Sequence, residues 1–353
     1  MGHWTVGGPR SPCAITSIVL VVVNLVDEHP AWSLPKELFA KLTEDFREVD
    51  FHWNRRREDY FRQVNRAEVI WSWSISPDIF ALAQELKWFH AQAVGMRHTL
   101  FPQLVKSRVI VTNASGVSAT AIAEHGLAMV LALTRQLPAM LEYQRKHHFA
   151  QREMWDLWEE CGELSSRTFG LVGFGNVGQE MARLLRAFGA RVLAYRRRRR
   201  GSRLAERVFR GDEIDAMLAQ CDFIVSSLPG TEETHHFFDD ARFRAMKRGA
   251  YFVNLGRGWT VGEAALLRAL GWNERTGKWE SGWLAGAALD VFAEEPLPAS
   301  SPLWDAPRII ISPHVAALSP NFWPRSVELF ACNLRHYLAG EKLENRVSLR
   351  AGY

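Results

Sequence analysis

The sequence predicts an α/β protein built from two doubly wound parallel-sheet domains. Short β-branched runs alternate with helical patterns in both halves, and that alternation gives parallel sheets with right-handed crossovers. The 353 residues suit about two domains. A glycine-rich turn opens the second half between an apolar strand and an amphipathic helix.

The elements follow in order. Ile18–Val23 is a β-branched run suited to a strand buried on both faces. Leu34 to Phe46 has helical spacing, while Val69–Ile75, Trp88–Gln92 and Val109–Thr112 read as further strands. A long helical pattern runs from Thr120 to Lys146, with Pro138 expected to kink or end its first part. The second series begins at Thr168: strand Phe169–Gly173, helix Val177–Phe188, strand Arg191–Tyr195, then strands Phe223–Ser226, Tyr251–Asn254, Gly286–Leu289 and Ile309–Ile311. A helix from Trp323 to Leu338 closes the pattern.

Composition narrows the function classes. An apolar share of 47% and a charged share of 23% exclude collagen-like, disordered and disulfide-scaffold chains. The apolar stretch Ile15 to Val26 is too short to span a bilayer, and Asp27, Glu28 and His29 stand where a signal peptide needs small residues. It is therefore read as a buried strand. Cys13, Cys161, Cys221 and Cys332 form no CxxC pair, which suits reduced thiols in a cytoplasmic protein. A net charge of +4 does not by itself imply a nucleic-acid partner. His147-His148 and His235-His236 resemble metal pairs, but adjacent histidines do not face one site and no ligand spacing completes them, so no metal is expected.

Gly173-Phe174-Gly175-Asn176-Val177-Gly178 is a GxGxxG turn in the context that gives it meaning. The first glycine permits the tight turn, the second a close approach of backbone to pyrophosphate, the third close helix–strand packing. The helix N-terminus offers free N–H groups to phosphates. Where the next strand ends, an acidic residue would bind the ribose hydroxyls of NAD; here stand Arg196, Arg197, Arg198, Arg199 and Arg200. Guanidinium groups take a 2′-phosphate, so NADP is favoured, with NAD still possible. A solvated basic loop and a nucleic-acid patch are the alternatives.

Three later segments place polar residues just beyond strand ends, where open α/β sheets bind ligands. They are Asn254-Leu255-Gly256-Arg257, Asp290 to Leu297, and Ser312-Pro313-His314. Arg257, Glu295 and His314 could meet around one substrate. Singly, each has an ordinary alternative: a surface ion pair, a strand-end charge, a turn histidine. With these motifs in order, and with Leu86-Lys87-Trp88, Ile122-Ala123-Glu124-His125, Leu228-Pro229-Gly230-Thr231 and Gly340-Glu341-Lys342-Leu343, the chain resembles the D-isomer-specific 2-hydroxyacid dehydrogenases from Ile18 to Tyr353. The arginine run makes the pattern most similar to glyoxylate/hydroxypyruvate reductases.

The resemblance implies a Rossmann coenzyme domain, residues 119–318, inserted in a flavodoxin-like substrate domain, residues 1–118 and 319–353. It implies reduction of a small 2-keto acid to the D-2-hydroxy acid. Arg257 would bind the substrate carboxylate and polarise the keto oxygen, His314 would be the general acid or base, and Glu295 would orient the imidazole. Val94 and Gly95 would hold the substrate carboxylate through backbone N–H groups, brought to Arg257 by hinge closure. Leu228, Pro229, Thr234, Leu255, Gly256 and Asp290 would line the cofactor, with Asp290 at the carboxamide. A homodimer through the coenzyme domain is expected; a membrane or nucleic-acid partner is not. The rival from another class is a dinucleotide-sensing scaffold without turnover, since C-terminal-binding-protein corepressors resemble the same family. Gly95-Met96-Arg97 and Gly262 depart from the family pattern, Gly271 to Trp279 looks like an insertion extending a surface loop, and the first dozen residues read as a leader.

Overall fold

The computed structural model describes residues 18–54, 57–96, 99–197 and 201–349. The leader, Cys13, Arg97, and Arg198 with its two following arginines lie outside the described residues. The chain divides into two compact units, one reaching to Gln92 and including Phe101–Thr112, the other formed by Ala93–Leu100 and everything from Asn113 onward.

The first unit is organised by a parallel five-stranded sheet of β1 (Leu20–Asn24), β2 (Asp50–Trp53), β3 (Val69–Ser72), β4 (Trp88–Ala91) and β5 (Ile110–Asn113). The order β2-β1-β3-β4-β5 is that of flavodoxin-like sheets. Val21, Val22 and Val23 are fully buried, as a strand covered on both faces requires. The expected strand at Val69–Ile75 stops at Ser72, because Ser76 caps a helix that starts at Pro77 and accepts the Ile79 N–H.

His90, on β4, is fully buried between Trp71 and Trp88 and meets Thr112 Oγ1 at 2.7 Å through Nδ1. Burial pushes its imidazole from 6.5 down to about 3. The folded state thus refuses a proton that the unfolded chain accepts below about pH 6.5. The resulting stability is intact above that pH and is lost as pH falls toward 3. His90→Gln, which keeps a partner for Thr112, is expected to lose about 2–3 kcal/mol less stability than the parent on going from pH 7 to pH 4.5. Urea unfolding at the two pH values measures it; equal acid losses in parent and variant would remove His90 from the account.

The second unit holds the parallel strands β6 (Thr168–Val172), β7 (Arg191–Tyr195), β8 (Arg207–Phe209), β9 (Phe223–Ser226) and β10 (Tyr251–Asn254). A two-stranded hairpin, β11 (Trp272–Asn273) with β12 (Lys278–Trp279), precedes β13 (Gly286–Leu289) and β14 (Ile309–Ile311). The sheet order is β14-β13-β10-β9-β6-β7-β8. Successive residues of one strand enter opposite cores: Phe223 and Val225 pack with Leu127, Val130 and Met181, whereas Ile224 packs with Met217 and Phe243. That is the doubly wound arrangement. The order reverses direction at β6, which opens a crevice beyond the ends of β6 and β9.

Two expectations are refined. The long helix is two, Ala119–Thr134 and Leu137–Arg145. The break falls at Gln136 (φ 54°), upstream of Pro138, which sits in the first turn of the second helix where its missing N–H leaves nothing unbonded. The segment after Gly271, expected as an extended surface loop, forms the small hairpin, closed by Trp272 against Trp279 at 5.1 Å. Among the described residues no helix is long and apolar enough to cross a membrane.

Candidate active site

β6 delivers the glycine turn. Gly173 has φ +94°, and a Cβ there would lie 2.8 Å from the Ser227 carbonyl carbon, so this position demands glycine on both counts. Ser227 Oγ donates to Gly173 O at 2.7 Å. Gly178 packs directly on Gly173 O. At Gly175 an added Cβ would meet no protein atom within 4 Å. The protein therefore has no packing reason for glycine at Gly175, whereas a bound pyrophosphate gives one. The helix Asn176–Ala187 that follows has no side-chain cap, so its first N–H groups face outward for an anion. The turn fits a dinucleotide.

The ends of β6, β9 and β10 meet there. A Cβ on Gly256 would stand 2.8 Å from Leu228 N, as close as Gly173 stands to Ser227. Thr234 is spent on its own turn, donating to Pro229 O at 2.6 Å and accepting from Thr231 N–H. Beyond β7, Arg196 Nη2 donates to Gly201 O at 3.3 Å, and Arg197 pairs with exposed Glu233 at 2.8 Å. Arg197, Ser202, Arg207 and Arg210 line a depression beside β8.

Arg257 follows β10. Its carbonyl accepts from Asn254 Nδ2 and Thr260 Oγ1, and its Nη1 donates to Gly256 O at 2.6 Å. The guanidinium lies against Gly95, where a Cβ would be 2.9 Å from Nη2. Val94 O accepts from Asn113 Nδ2 at 3.0 Å, which fixes that loop. Burial lowers the Arg257 pKa from the ordinary guanidinium value, against the opposing charges of Glu295 and Asp290. A partly dehydrated, still cationic fork is a strong partner for a carboxylate or a developing oxyanion.

His314 stands in the left-handed region (φ 55°) after β14. Its Nδ1 meets Glu295 Oε2 at 2.6 Å, while Glu295 Oε1 accepts the Phe292 N–H at 3.0 Å. The imidazole is thereby oriented with Nε2 as its remaining nitrogen. Buried Asp290 holds the turn itself: Oδ1 accepts from Ser312 Oγ at 2.6 Å and Val315 N–H at 3.0 Å, and Oδ2 from Ala316 N–H at 3.2 Å. His125 Nε2 joins through Ser312 Oγ at 2.9 Å.

Residues 127–316 match the family model described as D-isomer specific 2-hydroxyacid dehydrogenase, NAD binding domain. The chain belongs to the D-isomer-specific 2-hydroxyacid dehydrogenase family. It is therefore an NAD(P)-dependent oxidoreductase. It is 31% identical to a glyoxylate reductase of Thermofilum pendens, over 91% of this chain and 92% of that one. It is 32% identical to one of Korarchaeum cryptofilum, over 78% and 80%. Among solved structures it resembles an NADPH-dependent glyoxylate/hydroxypyruvate reductase from Sinorhizobium meliloti in complex with NADP and sulfate (TM-score 0.77, 27% identity, 95% of this chain and 100% of that one). It also resembles a Xanthobacter autotrophicus D-isomer specific 2-hydroxyacid dehydrogenase in complex with NADPH and MES (TM-score 0.76, 26% identity, 96% and 100%).

Within this dehydrogenase, the structure brings Val94, Gly95 and Arg257 into one group and Glu295 and His314 into another. Leu255 is buried, and Asn176 Nδ2 donates to Ser115 Oγ at 3.1 Å. Sequence reasoning gave no role to Ser312, His125 or Asn113. His125 and Ser312 are 187 positions apart, so no local pattern links them. His235 and His236 stack on each other at 3.9 Å, and His235 on Trp259 at 3.8 Å, as ring packing.

Proposed function

We propose that this dehydrogenase reduces a small 2-keto acid, of the glyoxylate or hydroxypyruvate type, to the D-2-hydroxy acid with NADPH. The observation that carries the reading is the His314–Glu295 pair at 2.6 Å on the same sheet edge as the Arg257 guanidinium. The names of the relatives support the substrate class, and the arginines after β7 support the cofactor. Residues 119–318 make up the coenzyme-binding part, with 1–118 and 319–353 as the substrate part. The reduced thiols fit a cytoplasmic enzyme.

The bound nicotinamide cofactor supplies the hydride that reaches substrate C2. Gly173, Gly175, Asn176, Val177 and Gly178 would seat the pyrophosphate, and Leu228, Pro229, Thr234, Leu255 and Gly256 would line the same crevice. Arg257 grips the substrate carboxylate and draws electron density toward the keto oxygen, aided by the Val94–Gly95 backbone. As C2 gains the hydride, His314 Nε2–H donates its proton to the oxygen, and Nδ1–H stays bonded to Glu295. Asp290 keeps the 312–316 turn in place and would meet the carboxamide of a bound cofactor. In the oxidation direction, neutral His314 takes the proton back.

The experiment is NADPH and NADH oxidation with glyoxylate and hydroxypyruvate. Turnover with NADPH supports the reading; cofactor binding without turnover on any 2-keto acid replaces it with a dinucleotide-sensing scaffold. Arg196 and Arg197 take the 2′-phosphate, and Arg198 belongs to the same run. The Arg197–Glu233 pair is exposed and weak enough to yield to that dianion. Arg196→Ala with Arg197→Ala is expected to lower kcat/KM for NADPH about 10²–10⁴-fold and leave NADH unchanged, because each of the two charge-assisted bonds lost is worth about 1.5–3 kcal/mol. Equal losses with both cofactors would count against 2′-phosphate recognition.

The enzyme pairs as a homodimer through the segment after the helix Ala119–Thr134. Leu141, Phe149, Trp155 and Trp158 stand half to nearly nine-tenths exposed there, an apolar surface that a monomer rarely leaves in water. Sedimentation is expected to give twice the chain mass, and Trp155→Glu with Trp158→Glu to shift it toward the monomer. A parent enzyme that sediments as a monomer would remove the pairing.

A further inference from the structure

The C-terminal helix Phe322–Leu338 carries Cys332 and His336 one turn apart, hence on one face. The chain then reverses at Gly340 (φ +71°) and returns along the helix. Fully buried Asn333 clamps the returning backbone on both sides: its Oδ1 accepts the Glu344 N–H at 2.6 Å and its Nδ2 donates to Glu344 O at 3.3 Å. The clamp sets the Glu344 carboxylate beside the sulfur, with Cys332 Sγ to Glu344 Oε1 at 3.8 Å. One ligand atom from each of Cys332, His336 and Glu344 falls within 4.8 Å of the others. Glu341 comes from the same return, its Oε2 lying 3.8 Å from His336 Nε2 and its N–H donating to His336 O at 2.7 Å. His336 Nδ1 is buried and makes no hydrogen bond.

We propose that Cys332, His336 and Glu344 bind a divalent transition-metal ion of the zinc class. Sulfur, imidazole nitrogen and carboxylate oxygen on one face suit zinc, whereas magnesium and calcium take oxygen sets. Zinc distances of about 2.0–2.3 Å put neighbouring donors about 3.5 Å apart, so closure takes side-chain rotations of about an ångström and leaves the Asn333 clamp in place. The metal bonds to thiolate sulfur, and the thiol proton leaves to solvent. Thiolate and carboxylate together neutralise the dication, and Glu341 or water fills the fourth position. None of these residues belongs to the hydride-transfer machinery, so the site is a clip between the helix and the segment after Gly340. No linear spacing marks this set, because Cys332 and Glu344 meet only through the chain reversal.

The test uses the full-length enzyme, stripped with a chelator and titrated with Co²⁺. The expected result is a thiolate-to-cobalt charge-transfer band that saturates at one ion per chain, is displaced by Zn²⁺ and is lost in Cys332→Ser and in His336→Gln. Zn²⁺ is also expected to slow alkylation of Cys332, followed on its own peptide, in the parent but not in His336→Gln. Absence of the band, a band that persists in Cys332→Ser, or alkylation indifferent to Zn²⁺ overturns the assignment. Far-ultraviolet circular dichroism of the two variants, expected to match the parent, separates lost ligation from lost fold.

Discussion

Arg257→Ala is expected to lower kcat about 10²–10³-fold, the usual loss when one donor to a developing oxyanion is removed. NADPH binding should survive, because the glycine turn is built by Gly173, Ser227 and Leu228 and does not use the guanidinium. The effect is large because the site has already dehydrated the group: burial works against the charge, and the Gly95 backbone packs on Nη2. A charge kept in a confined position reacts to a new oxyanion with little reorganisation. Arg257→Lys keeps the charge but loses the planar fork, and should fall between parent and alanine, with KM for the keto acid raised more than kcat is lowered. Stopped-flow cofactor binding and steady-state rates on the three proteins measure this. Wild-type kcat in Arg257→Ala would sink the carbonyl-polarising role.

The second large effect is at His314. General acid catalysis contributes about 10²–10⁴-fold, and His314→Asn should lose that much while keeping its thermal midpoint. Asparagine is the informative choice because it tolerates the left-handed backbone that His314 adopts at φ 55°. The turn around it is held independently by Asp290, through Ser312 Oγ and the Val315 and Ala316 N–H groups. Glu295→Gln probes the orienting partner. An amide N–H₂ aimed at Nδ1 obliges that nitrogen to accept, so the neutral ring keeps its proton on Nε2 and giving it up would leave an anionic ring. Glu295→Gln should thus lose most of the reduction rate with the imidazole still present. If Glu295→Gln keeps the parent rate while His314→Asn is inactive, the pair is packing and His314 acts alone.

The two residues can be tested separately because they were assembled separately. Glu295 comes from the segment after β13, and His314 from the turn after β14. The adjacent parallel pairing of those strands, Leu289 beside Ile311, brings the two segments together. A change that slipped this register would separate the pair without touching either side chain.

The sequence by itself determined the periodicities and the local chemistry. The valines of β1, the glycines after β6 and the arginines after β7 could each be read in place, because strand burial, turn geometry and phosphate affinity are set within a few residues. The order of motifs along the chain determined the family. Pro138 signalled a helix break but not its position, since proline disrupts the turn before it and the break settles at Gln136. Only the tertiary structure decided distances between remote segments: Glu295 to His314, Arg257 to Gly95, and the convergence of Ser312, Val315, Ala316 and His125 on Asp290. The same holds for Glu344 returning to Cys332. In each case the partners are joined by sheet register or chain reversal, and neither has a period that a linear pattern could record. Local propensity acts over one turn or one strand, whereas a site at a sheet edge depends on how whole strands align.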